Sequence, residues 1–254
     1  MRSHFAKIVL AMPFLGSACT ELPVKVVELS PNTLSQDLVA HYRFDDSQGN
    51  TVHDSSGNLR DGVLTGGQWL SDGRFGGALR FGPDEFATVG SFPDAQSKFS
   101  VSAWVRITSY TQDTSDLGQW GTVVSTELGL TGGWEVNVDH QGSSPVLDFG
   151  LWKGPNVGDY DKAQCTCLPL GTWTQVAAVV DGIALQLSLY VDGTLMGTSK
   201  MIKGILPGST ELTIGQWPSG GRFLLGDVDD IAIWNRTLVA DEIAELNQGP
   251  VTDP

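Results

Sequence analysis

Gly226-Asp227-Val228-Asp229-Asp230-Ile231-Ala232-Ile233-Trp234, near the end of the chain, reads as a β-strand with a carboxylate among apolar residues. Residues two apart on a strand share a face, so Asp229 is expected on the side of Ile231 and Ile233. An ionised carboxylate is tolerated there only when a cation, a set of backbone N–H donors or a metal meets it. The start of the chain offers a meeting place. Phe44-Asp45-Asp46-Ser47-Gln48-Gly49-Asn50 and His53-Asp54-Ser55-Ser56-Gly57-Asn58 are oxygen-rich turns after an early strand. If the two ends meet, they can share a calcium ion.

Outward from that strand the same period recurs. Leu185, Leu187, Leu189 and Val191 alternate with Gln186, Ser188 and Tyr190, and Phe99, Val101, Ala103, Val105 and Ile107 alternate in the same way. That is the pattern of half-buried antiparallel strands. Asp192-Gly193 after Val191 predicts a tight type I′ hairpin into Thr194, because both central residues take positive φ. About a dozen such apolar runs, separated by turns and without alternating helices, predict an all-β, two-sheet antiparallel sandwich. One helix is expected at Ala240-Asp241-Glu242-Ile243-Ala244-Glu245-Leu246, which has early acids and a Gly249-Pro250 stop. No internal repeat or second domain is evident.

The chain has 254 residues, 31 of them glycine, scattered at turn positions without a collagen period. Acidic residues outnumber basic ones 29 to 15, a net charge of -14 that repels phosphate backbones and excludes nucleic acid as a partner. Two basic residues, Arg2 and Lys7, precede the short apolar run Ile8–Leu15, the polarity order of a secretory signal. Leu15-Gly16-Ser17-Ala18-Cys19 resembles a bacterial lipobox, although the leucine lies one place further from the cysteine than usual. The resemblance implies a signal over 1–18, lipid on Cys19 and hence a membrane anchor, a tether over 19–36, an ordered domain over 37–248 and a tail over 249–254. Export, with anchoring at the outer membrane or cell surface, is the localisation expected. Cys165-Thr166-Cys167 is then left as a pair; a disulfide between them requires a bent or bulged backbone, and two free thiols are the alternative.

Several of these groups line up with one family. Val39–Asp46, Asp54–Asn58 with Asp61-Gly62, Phe99–Val105, Gly171–Ala177, Leu189–Gly193, Gly226–Arg236 and Ala240–Ile243 resemble, in that order, the laminin G-like, concanavalin A-like jelly-roll domains of secreted bacterial proteins. The resemblance implies a jelly-roll β-sandwich with a structural Ca²⁺ where the early turn meets the late strand. Asp54, Asn58 and Asp229 are the ligands expected on the positions that match. The competing reading is an Asx-turn at Asp54 and backbone hydrogen bonds to Asp229. Val239 departs from the helix-capping Ser usual in the family, and Ser109–Trp120 and Lys153–Leu168 read as loop insertions.

Of eight tryptophans, Trp104, Trp134, Trp173 and Trp234 fall in strands and are expected in packing. Trp217, in the Gly-rich segment Gly215–Gly221 and the most exposed by context, Trp120 and Trp152 are the candidate ligand contacts, since an indole face stacks on a sugar ring or anchors a protein partner. Glu135 and Asp139 share a strand face but lack the middle acid of the related glucanases' Glu-x-Asp-x-x-Glu arrangement, so no catalytic residue is assigned. The resulting expectation is a non-catalytic extracellular module for a glycan or a protein. The alternatives are a glycoside hydrolase or lyase with an unrecognised acid pair, and a structural envelope protein.

Overall fold

Alternating apolar residues fold into strands numbered here in chain order: β1 (Leu38–Tyr42), β2 (Thr51–Val52), β3 (Gly62–Thr65), β4 (Gln68–Leu70), β5 (Ala78–Phe81), β6 (Phe86–Val89), β7 (Lys98–Ile107), β8 (Trp120–Ser125), β9 (Trp134–Asp139), β10 (Val146–Trp152), β11 (Tyr160–Cys165), β12 (Thr174–Asp181), β13 (Gln186–Val191), β14 (Thr194–Lys200), β15 (Leu212–Ile214) and β16 (Gly226–Trp234). The structure, a computed structural model, describes residues 33–95, 97–109, 120–127, 132–139, 145–154, 156, 159–201 and 204–251. The signal segment, Cys19 and almost all of the tether lie outside the described residues.

One sheet runs β14-β13-β12-β7-β16-β5-β4, with β1 also on β16; the other runs β11-β10-β9-β8-β15-β6-β3-β2. Every pairing is antiparallel, the two-layer jelly roll that the periodicity predicts. The inner faces interlock through Phe99 of the first sheet against Trp134 and Phe149 of the second, with ring centroids 5.4 and 6.2 Å apart. The hairpin at Asp192-Gly193 has positive φ at both residues, 47° and 75°.

Strand β16 has two partners along one edge. Its Gly226–Val228 portion pairs with β5, and Ile231–Trp234 pairs with β1. Between them lies a β-bulge, with a register shift against β7 between Asp229 and Ala232 and a positive φ of 50° at Asp230. The bulge corrects the face assigned to Asp229. Ile231 and Ile233 enter the inter-sheet core, whereas Asp229 sits opposite Trp104 and therefore on the outer face.

The helix α1 (Ala240–Leu246) covers part of that outer face. Its Ile243 and Leu246 pack with Leu34, Leu38, Ala232, Trp234 and Val251 in a second apolar cluster. Val239 supplies no side-chain cap. Glu242 instead accepts the Val239 N–H at 2.9 Å and is held by both terminal nitrogens of Arg236 at 2.8 Å. Lys153–Leu168 is not a loop insertion throughout, because it contains β11, an edge strand paired along β10. The other expected insertion falls mostly outside the described residues. Cys165 and Cys167 are joined as a disulfide, Cα atoms 5.4 Å apart, where β11 ends and the chain bends at Thr166.

Phe99→Ala would empty the contact between the sheets at its centre. It should cost about 3–5 kcal/mol, read as a lower urea midpoint at unchanged slope.

Candidate functional site

The outer face of the second sheet carries polar side chains where a solvated surface would be expected, yet they are buried. On β8, β9 and β10 the cross-strand row Thr122, Asn137, Asp148 is at most 1% exposed. One step along, Glu135 faces Gly150 across the sheet, and Trp152 faces Tyr160. Gly150 is required by this packing: a Cβ there would collide with the Tyr160 ring and hydroxyl. Tyr160 thus lies across the glycine and reaches two acids. Its hydroxyl donates to Asp148 Oδ1 at 2.5 Å and stands 3.2 Å from Glu135 Oε1.

Three tryptophans surround this acid pair. Trp152 Nε1–H donates to Glu135 Oε1 at 3.0 Å, with its ring 4.4 Å from that of Tyr160. Arg222 Nη1 lies 3.4 Å from Glu135 Oε2, and the guanidinium stacks 4.4 Å from the Trp217 ring and 6.0 Å from that of Trp120. The chain brings together all three tryptophans singled out in the sequence, each half-buried. The sequence reading did not identify Arg222, Asp148 and Tyr160 as members of the cluster. Only the two-residue spacing of Asp148, Gly150 and Trp152 hinted that they share a face.

Among the described residues, several buried polar atoms here have no hydrogen-bond partner: Thr122 Oγ1, Asn137 Oδ1 and Nδ2, Asp148 Oδ2, Trp217 Nε1 and Arg222 Nε. Unmet donors and acceptors cost roughly 1–3 kcal/mol each. A ligand rich in hydroxyl groups would satisfy both kinds at once, beside indole faces suited to its apolar side. Burial pushes the Asp148 carboxyl up to about 6, against the opposing effects of the Tyr160 hydrogen bond and Lys162; Glu135 and Asp139 add to the rise. Burial likewise lifts the Tyr160 hydroxyl well above its ordinary value, reinforced by the two acids.

The expected calcium ligands do not converge. Asp54 Oδ1 accepts the N–H groups of His41 and Ser56, and Oδ2 that of Arg60, which makes an Asx-turn. Asn58 donates to the Leu38 and Val39 carbonyls, at the end of β1 opposite Trp234. Asp229 lies past the other end of β1, beyond Ile231, and accepts the Phe75 N–H at 2.8 Å. Its companions are instead the loop Gly73–Gly77 and Asp45, which accepts the Gly77 N–H at 2.7 Å. A Cβ on Gly76 would strike Asp45, and one on Gly77 would strike the Phe44 carbonyl. The repeated glycines of Gly73-Arg74-Phe75-Gly76-Gly77 were the legible trace of this close approach. Among the described residues Asp229 Oδ1 is buried without a hydrogen bond of its own, and burial lifts the carboxyl to about 7 against the backbone N–H groups of Phe75, Arg74 and Asp230. Among the described residues, no three His, Cys, Asp or Glu side chains gather as a metal group, so main-chain oxygens would have to complete any cation shell.

A sequence profile of the Concanavalin A-like lectin/glucanases superfamily, in its Laminin_G_3 branch, matches residues 81–244. The chain belongs to this superfamily. Among solved structures, this jelly roll is similar to domain 4 of AbnA, a GH43 extracellular arabinanase from Geobacillus stearothermophilus, in complex with arabinotriose. That likeness has a TM-score of 0.63 at 20% identity and covers 84% of this chain and 98% of that one. It is also similar to the botulinum neurotoxin type G receptor binding domain (TM-score 0.61, 17% identity, 84% of this chain and 51% of that one). The binding domain of Paraclostridial Mosquitocidal Protein 1 gives a TM-score of 0.65 at 19% identity, over 84% of this chain and 52% of that one. The jelly roll spans about half the length of the two toxin domains. At these identities the likeness is one of fold. No curated protein sequence matches the chain.

Tyr160→Phe removes the hydrogen bond that opposes the rise at Asp148. The carboxyl should then titrate above 6, which carboxyl-carbon NMR across a pH series would measure.

Proposed function

We propose that this jelly roll is a non-catalytic extracellular binding module that takes a glycan on the outer face of its second sheet. The observation that carries the reading is the convergence of Trp217, Trp120 and Trp152 beside a row of buried polar atoms that make no hydrogen bond among the described residues. The indoles would stack on the C–H faces of sugar rings, while Thr122, Asn137 and Asp148 meet hydroxyls. Glu135 already neutralises Arg222, which favours an uncharged sugar. The arabinotriose-bound arabinanase domain and the neurotoxin receptor binding domain lend support as binding domains on the same fold. Export and a lipid on Cys19 would hold the module at the cell envelope.

A second reading has its own observation. Two buried carboxylates, Asp148 and Glu135, stand either side of the Tyr160 hydroxyl, and burial lifts Asp148 to about 6, which suits a general acid. A glycoside hydrolase or lyase on this pair would release reducing sugar from polysaccharide, and Glu135→Gln would abolish it. Titration calorimetry with neutral oligosaccharides, arabino-oligosaccharides among them, tests the first reading. Binding without turnover is expected, weakened at least tenfold by Trp217→Ala with the fold unchanged. A blank glycan array alongside capture of one extracellular protein would move the assignment to protein recognition, and a blank in both favours a structural envelope role.

We also propose calcium at the Gly73–Gly77 loop, with Asp229 Oδ1 as its side-chain ligand in place of the Asp54 and Asn58 set. Without a cation, the raised Asp229 carboxyl makes the folded protein bind more protons than the unfolded chain. Its stabilising contribution is then full below about 4 and lost as pH rises through about 7. A bound cation reverses that loss. At pH 8 a chelator should lower the melting temperature of the native protein and leave that of Asp229→Asn unchanged. An unshifted native curve would remove the ion from the account.

A further inference from the structure

We propose that Lys153 and Asp161, in direct side-chain contact at the neck of the β10–β11 hairpin, are joined by an intramolecular isopeptide bond. Both side chains are buried, 1% and 4% exposed, with Lys153 Nζ on Asp161 Oδ2. The contact lies on the inner face of the sheet, opposite to the face that carries Trp120, Trp152 and Trp217. Asp161 stands opposite Leu151, and Leu151 opposite Trp134, both in the inter-sheet core. The backbone fixes the two residues as well. Lys153 N–H donates to the Asp159 carbonyl at 2.7 Å, and Trp152 pairs with Tyr160.

Desolvation penalises the ionised form of both groups in such a place. Transfer of one proton gives a neutral amine and a neutral carboxylic acid, and the neutral amine is the nucleophile. Its nitrogen lone pair attacks Asp161 Cγ. The C–N bond forms, one carboxyl oxygen leaves with its own proton and one proton from the nitrogen, and the products are an amide and one water. The balance requires no oxidant or cofactor. Partners held in contact react at effective molarities of about 10⁵–10⁸ M, well above the concentration of liquid water that drives hydrolysis. Burial also excludes water, so the amide is the favoured side.

The candidate proton carrier is Glu127, which is wholly buried. Its main chain packs against Gly133, whose carbonyl accepts the N–H of Trp152, the residue before Lys153, at 3.0 Å. The bond would tie edge strand β11, which carries Tyr160 to the outer face, covalently to β10.

Intact-mass measurement of the native, reduced and denatured chain tests the bond. The expected mass is one water below the sequence mass, with fragment ions placing the loss across residues 153 and 161. Lys153 should also resist an amine-acylating reagent in the unfolded chain, which separates an isopeptide from a succinimide at Asp161. Lys153→Arg and Asp161→Ala should each restore full mass. A folded sample that keeps full mass after long incubation, or a Lys153 that acylates normally, overturns the proposal. Glu127→Gln should emerge at full mass and lose water slowly; bond formation at the native rate would exclude Glu127 as carrier and leave the bond itself standing.

Discussion

Strand β16 must satisfy the hydrogen bonds of nine consecutive buried residues against three different strands. Buried backbone donors and acceptors are rarely left unpaired, so the handover from β5 to β1 along one edge has to occur without a gap. The bulge at Asp229–Asp230 makes that handover. It lets the chain change partner and turns Asp229 out of the core. The opening left between β5 and β1 is filled by the glycine loop before β5 and by Asp45 after β1. The first and last strands of the sandwich are therefore joined, and the carboxylate at their junction is oriented by backbone rather than by a neighbouring side chain.

The second sheet resolves a similar conflict differently. Its outer face holds acids, an amide and a hydroxyl that ordinarily belong in water, yet they are buried, with Trp152, Tyr160 and Arg222 packed against Glu135. Glu135 organises the cover, since its two oxygens accept from Trp152 and meet Arg222, with the Tyr160 hydroxyl 3.2 Å away. What remains unmet beneath is a short polar row of defined geometry. Burying unsatisfied groups lowers stability, and a protein that retains them in one place has a surface poised to exchange that deficit for a ligand's hydroxyls.

Local pattern made much of this legible. The alternation at Leu185–Val191 gave strand β13, Asp192-Gly193 gave its hairpin, and the capping and stop signals gave α1. Strand β11 escaped because Tyr160-Asp161-Lys162-Ala163-Gln164-Cys165 has no run of apolar residues. Its inward positions include a charged residue, Asp161, whose partner Lys153 lies across the hairpin. The parity at Asp229 escaped because a strand period of two assumes an unbroken ladder, and one extra residue reverses every assignment beyond it.

The sequence by itself determined an all-β two-layer sandwich, its hairpins and the acidic character of its surface, because these depend on neighbours a few residues apart. Tertiary structure alone decided that Asp229 meets Phe75 across 154 positions, and that Glu135 meets Arg222 across 87. Such meetings follow from strand order and register. Periodicity tells which face a residue prefers, but it carries no record of which distant strand will lie alongside.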